Sequence, residues 1–230
     1  VDGRIAEFDA KLVDLIPGSV TPPEAAATLM KTWSERIDSL FAEPVGVVQG
    51  AFPERSKQSE TPLGRWAADM VRIVAESDVG IYNPGGLRAG LEDGPVTRAD
   101  LYRVFPFSND VVQFEASGTD LLGLVIKNAG SELHGGHPVM QLSGIEAQWG
   151  VVGGAPSIYS VMVSGSPLVP ERMYTVATNS YVVDRWQYNL GFEPVKVSLT
   201  GATVFEAAVD RAKAGPIKAP LDRRMKRIDR

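Results

Sequence analysis

The sequence predicts an α+β fold, a mixed β-sheet with packed helices, on three observations. Apolar residues recur at spacings of three and four in discrete stretches, they alternate with period two through much of the second half, and the two patterns never settle into strict strand–helix–strand order. At 230 residues, with 44% hydrophobic and 22% charged content, the chain can bury one good-sized core, or one domain with an appended segment.

The elements follow in order. Residues 3–12 read as a surface strand, and because the chain opens on Val1 in the middle of it, the sequence reads as a piece of a longer protein. Thr21-Pro22-Pro23-Glu24 is a capping box with proline at the first helical position. Met30, Trp33, Ile37, Leu40 and Phe41 then predict one buried helical stripe that ends before Pro44. Residues 1–45 form, on this reading, a strand and a connecting helix, and residues 46–230 the main domain. That domain begins with a strand over 45–48, a charged loop over 52–60, and a helix whose stripe is Leu63, Trp66, Ala67, Met70, Val71 and Val74. A strand over 79–82 runs into Asn83-Pro84-Gly85-Gly86-Leu87-Arg88. Thr97 to Asp100 caps a short helix. Pro106-Phe107-Ser108-Asn109 leads into a strand over 111–116, and a helix over 119–128 is expected to close at Gly130. Strands over 158–163 and 173–178 and a helix over 204–212 complete the domain. The basic tail, Lys218, Arg223, Arg224, Lys226, Arg227 and Arg230, is expected to be solvated or to lie along a preceding domain.

Composition excludes several classes. A net charge of −5 gives no general attraction for phosphate backbones, which argues against a nucleic-acid partner. No apolar run approaches the roughly 20 residues that cross a bilayer, so no membrane insertion is expected. The chain has no cysteine, which removes thiolate nucleophiles, disulfides and cysteine-held zinc together. His134 and His137, the two histidines, sit in a His-Gly-Gly-His run that reads as a surface loop, because a catalytic metal needs at least three protein ligands. No catalytic or metal-ligating residue is assigned to this chain.

The glycine-rich loop is the first place to seek a ligand. Arg88 at its end offers a planar donor fork beside backbone N–H groups, which suits an anionic oxygen; a structural arginine in a tight turn is the competing reading. Phe107 and Tyr181, on separate polar segments, are able to clamp a flat base between them. The competing reading places each in the core, where Trp33, Trp66 and Trp149 are also expected.

Four segments in this order carry a family resemblance: Glu60-Thr61-Pro62-Leu63-Gly64, Asn83-Pro84-Gly85-Gly86-Leu87-Arg88, Pro106-Phe107-Ser108-Asn109 and Thr178-Asn179-Ser180-Tyr181. With Thr97-Arg98-Ala99-Asp100-Leu101-Tyr102 and Gln141-Leu142-Ser143-Gly144 between them, the chain resembles the C-terminal, substrate-binding domain of the 5′-nucleotidase and UDP-sugar hydrolase family over about residues 45–212. The resemblance implies that Asn83, Gly85, Gly86 and Arg88 meet phosphate and ribose, that Phe107 and Tyr181 sandwich the base, and that Asn109 stands just beyond the first ring. Lys57 stands where the family has an arginine. The family's Gly-Gly-Asp-Gly after the second ring is replaced by Val182-Val183-Asp184-Arg185-Trp186-Gln187, in which Asp184 is the candidate for the ribose hydroxyls.

The resemblance also implies a nucleotide or nucleoside ligand, and a partner in an N-terminal metallophosphatase domain of the same protein, whose final strand and interdomain helix residues 1–45 would be. Two divalent metal ions belong to that domain, so this chain alone is expected to be an inactive part of a periplasmic or extracellular phosphoesterase of nucleotide catabolism. A non-catalytic nucleotide-binding or structural module is the alternative.

Overall fold

In the computed structural model, which describes residues 7–14, 18, 21–53 and 56–229, the chain divides into two compact units, Val1–Leu40 and Phe41–Arg230. Residues 7–14 form no strand, and the rest of the strand expected over 3–12 lies outside the described residues. Helix α1 (Glu24–Phe41) begins with the Ala27 N–H on the Pro23 carbonyl, so the proline expected at the first helical position instead precedes the helix, and its stripe is not buried. Met30, Trp33, Ile37 and Leu40 are all exposed, which corrects the expectation of a buried face and of a core Trp33. Periodicity identifies the apolar face of a helix; it does not supply the surface that covers it.

The second unit runs β1 (Pro44–Gln49), α2 (Pro62–Val74), β2 (Val79–Tyr82), β3 (Gly94–Thr97), α3 (Arg98–Val104), β4 (Asp110–Ser117), α4 (Gly118–His134), β5 (Gln141–Ser143) and β6 (Ile145–Val152). It continues through β7 (Ala155–Val163), β8 (Ser166–Pro167), β9 (Met173–Asn179), α5 (Ser180–Asp184), α6 (Trp186–Asn189), β10 (Val195–Thr203), α7 (Val204–Ala214), β11 (Ile217–Lys218) and β12 (Met225–Arg227). The class is α+β. The sheet that positions the site has the order β10-β4-β9-β2-β5, in which β2 and β9 are parallel and the other pairs antiparallel. Two smaller sheets, β11-β1-β3 and β12-β6-β7-β8, complete the topology.

Helix α2 forms because Thr61 caps it, accepting the Gly64 N–H, and Pro62 fills the first turn where no N–H is needed. Its buried face, Leu63, Trp66, Ala67, Met70 and Val71, joins Phe105 and Leu101 in one core cluster; each large side chain so buried contributes about 1.5–3 kcal/mol. Gln141 locks the helix start in place, its Oε1 accepting the Thr61 N–H at 2.9 Å. A Cβ on Gly64 would stand 2.1 Å from that same oxygen, so only glycine fits there.

Helix α4 runs past Gly130 to His134, longer than expected. A capping box of Ser117 and Asp120 starts it, and Gly135, at φ 77°, ends it. Glycine inside a helix costs about 1 kcal/mol, which the burial of Leu124, Val125 and Ala129 outweighs. Asn128 on this helix donates to the Met140 carbonyl and accepts the Met140 N–H, at 2.8 and 2.9 Å, so the strand that follows is held at fixed height.

The basic tail as far as Arg227 is a further correction, because it is part of the fold; Arg230 lies outside the described residues. β11 pairs parallel with β1 and β12 parallel with β6. Glu60 accepts the backbone N–H groups of both Arg224 and Met225, while the Arg224 guanidinium bonds both Asp69 oxygens at 3.2 Å. Burial raises the Glu60 carboxyl above its ordinary value against the pull of those N–H groups and of Arg65. A charge run read in sequence lacks these partners, which lie more than 150 residues away. Arg224→Ala removes the cation from a partly buried Asp69, and should lower unfolding free energy by about 2 kcal/mol in a urea titration.

Candidate functional site

The loop between β2 and β3 is shaped from below. Tyr82, the last residue of β2, is buried with its ring edge-on to Phe105, and burial pushes its hydroxyl well above the ordinary value. Above it, Pro84–Gly86 makes one 3-10 turn closed by the Gly86 N–H on the Asn83 carbonyl. A Cβ on Gly86 would meet the Tyr82 ring at 2.9 Å and Asn83 Oδ1 at 3.2 Å, so a side chain there would lift the loop off its base. Leu87 is fully buried and Arg88 exposed, with the Arg88 N–H anchored to the Val104 carbonyl. Its guanidinium has no hydrogen bond or ion pair with any described residue, which disfavours the structural-arginine reading.

Tyr181 reaches the same place from β9. Asn179 caps α5 by accepting the Val182 N–H at 3.2 Å, and its Nδ2 donates to Asn83 Oδ1 at 2.8 Å. Both asparagines are buried. One side chain therefore fixes the first turn carrying Tyr181 to the residue that opens the glycine loop. A second link ties in the third segment, the Asp110 N–H donating to the Ser180 hydroxyl at 3.2 Å.

The result is a cavity of about 330 Å³ lined by Asn83, Gly85, Gly86, Arg88, Phe107, Asn109 and Tyr181. Both aromatic residues are 45% exposed, so neither is a core aromatic. Two expected residues lie elsewhere. Asp184 is at the end of α5, outside this cavity. Lys57 lines a second cavity of about 400 Å³, which shares Asn83, Gly85 and Tyr181 with the first and adds His137, Tyr188 and Asn189. Sequence reasoning missed that second cavity. His137 was visible only as half of a loop pair, and nothing in the local pattern singles out Tyr188 or Asn189. Trp66 and Trp149 are buried as expected.

Among the described residues no three His, Cys, Asp or Glu side chains gather so as to hold a metal ion. No described helix is long and apolar enough to cross a membrane.

In fold, the chain is a domain of the kind seen in solved 5′-nucleotidases. The 5′-nucleotidase precursor from Thermus thermophilus superposes with a TM-score of 0.74 at 19% identity, over 90% of this chain and 43% of that one. The NAD nucleotidase of Haemophilus influenzae does so at 0.70 and 21%, over 89% and 41%. Identities this low speak for the fold alone. The family model of the 5′-nucleotidase C-terminal domain matches residues 44–188, more than half of the chain, and the chain belongs to that family. Endonuclease YhcR of Bacillus subtilis is 27% identical over 218 residues, 91% of this chain but 17% of YhcR. UshA of Yersinia enterocolitica is 28% identical over 142 residues, 60% of this chain and 24% of UshA. The chain thus spans less than a quarter of the length of these relatives.

Asn179→Ala leaves Asn83 Oδ1 and the Val182 N–H without their partner. It should cost about 1–3 kcal/mol in a denaturant titration, more than Asn109→Ala at the rim of the same cavity.

Proposed function

We propose that this chain is the nucleotide-binding domain of a 5′-nucleotidase-type hydrolase. The observation that carries the reading is that Phe107, Tyr181 and Arg88, drawn from three separate segments, line one cavity. Two half-exposed rings in one cavity with an unpaired guanidinium suit a flat base joined to an anion. In this reading the base lies between Phe107 and Tyr181, the ribose and phosphate meet Asn83, Asn109 and Arg88, and Gly85 and Gly86 line the cavity beside them without a side chain in the way.

The chain's role is to bind and orient. Hydrolysis would fall to an N-terminal metallophosphatase domain of the same protein, with its two divalent ions, in the periplasm or outside the cell. The names of the relatives support this reading, since a nucleotidase and an endonuclease both cleave phosphate esters of nucleotides. The alternative, a non-catalytic binding or structural module, is favoured by Asp184 lying outside the slot and by Lys57 standing where the family has an arginine.

Calorimetry with AMP tests the assignment. Phe107→Ala or Tyr181→Ala should weaken binding by about tenfold to a hundredfold, the equivalent of about 1–3 kcal/mol for each stacked ring. Arg88→Ala should weaken AMP binding with the melting temperature nearly unchanged, because an exposed loop residue contributes little to folding. Affinity unchanged in all three variants would place the ligand outside this cavity, and no AMP binding by the unsubstituted chain would leave the structural-module reading.

A further inference from the structure

A third cavity, of about 220 Å³, lies where α2, α7 and β11 meet, and it has no lining residue in common with the other two. Arg72, Arg211 and Lys218 line it, and none of these cations has an ion pair with a described residue. The one carboxylate in the lining is already satisfied, since Asp69 accepts both bonds from Arg224 and a third from the Ser143 hydroxyl.

Such cations are expected at helix ends. Arg72 stands in the last turn of α2 and Arg211 in the last turn of α7, and each helix end carries about half a negative charge. Two half-charges offset about one cation of the three, so about two positive charges stay without an answering group. They do so on a chain whose net charge is −5. The walls strengthen their field. Trp66, Met70, Ile73 and the prolines 216 and 220 present apolar surface, and low-dielectric walls focus the potential of a cleft lined by one sign of charge.

The cations are also held in position. Arg72 Nε donates to the Ser143 hydroxyl at 2.7 Å, which leaves the two terminal nitrogens of that guanidinium without a partner among the described residues. Lys218 is fixed on β11 by its pairing with Gln49 of β1. The rim beyond it is tied down by Arg65, whose Nη2 donates to the Pro220 carbonyl at 2.8 Å.

From this arrangement we infer that the cavity between α2, α7 and β11 binds an inorganic tetrahedral dianion, phosphate or sulfate, at a site separate from the nucleotide slot. The inference goes beyond the slot reading and does not depend on it. The cavity is smaller than the roughly 300–1,000 Å³ of sites that enclose a drug-sized organic ligand, and its excess charge of about two matches a dianion. The two guanidinium groups offer planar pairs of donors to the oxygens, and Lys218 adds a point charge.

Calorimetry on the 230-residue chain with phosphate, sulfate and nitrate, at an ionic strength held constant with sodium chloride, tests this. Phosphate and sulfate should bind at one site, and nitrate about tenfold more weakly or less. Arg211→Gln combined with Lys218→Gln should weaken phosphate about tenfold or more, with the melting temperature in the absence of phosphate nearly unchanged. Lys218→Gln alone, at an exposed side chain, should give a smaller loss in the same direction. Absence of phosphate binding overturns the inference. Affinity that survives the double substitution also overturns it, because the anion then lies elsewhere, and nitrate binding as tightly as phosphate reduces the site to a patch of screened charge and overturns the dianion assignment.

Discussion

The candidate site depends on the hydrogen bond from Asn179 to Asn83. It joins two parallel neighbours in the sheet, β2 and β9, at the point where both strands end, and it is buried from water. A buried amide pair has few ways to be satisfied, so the bond fixes both residues at once. From Asn83 the chain turns through Pro84–Gly86 to Arg88; from Asn179 it turns into the helix that carries Tyr181. A change in this one contact would move the guanidinium and the ring relative to each other, with the rest of the core unaltered.

The position of the site at the ends of central strands has an energetic logic. The strands below it are anchored by two core clusters and by amide clamps, Asn128 on Met140 and Gln141 on Thr61. Rigidity is concentrated there, which lets the exposed residues above be chosen for binding instead of stability. Arg88, Phe107 and Tyr181 are exposed at little cost because their neighbours Leu87, Phe105 and Val182 are buried in their place.

Much of this was legible in the sequence, and the remainder was not for physical reasons. Helix α2, the capping box at Thr97 and the glycine loop were readable because their causes are local: a cap, a stripe, a backbone that must bend. The slot was readable as three separate motifs whose meeting came from resemblance, since no local pattern states that Phe107 and Tyr181 line one cavity. What stayed hidden depended on distant partners. Arg224 looked like a solvated charge until Asp69 and Glu60 were placed beside it, Gly130 looked like a helix end, and Asn189 became notable only when its side chain was seen to be buried and unpaired. Asp184 marks the opposite failure, in which a residue of the right type stood near the motif but outside the cavity.

The proposed function places a base between the rings of Phe107 and Tyr181. It is tested most directly by the proton chemical shifts of AMP as the chain is added. Two aromatic faces shield what lies between them, so the adenine H2 and H8 resonances should move upfield on binding, by an amount that falls when either ring is replaced by leucine. Bound AMP whose adenine resonances stay in place, while its ribose signals shift, would put the base outside the slot and contradict the account.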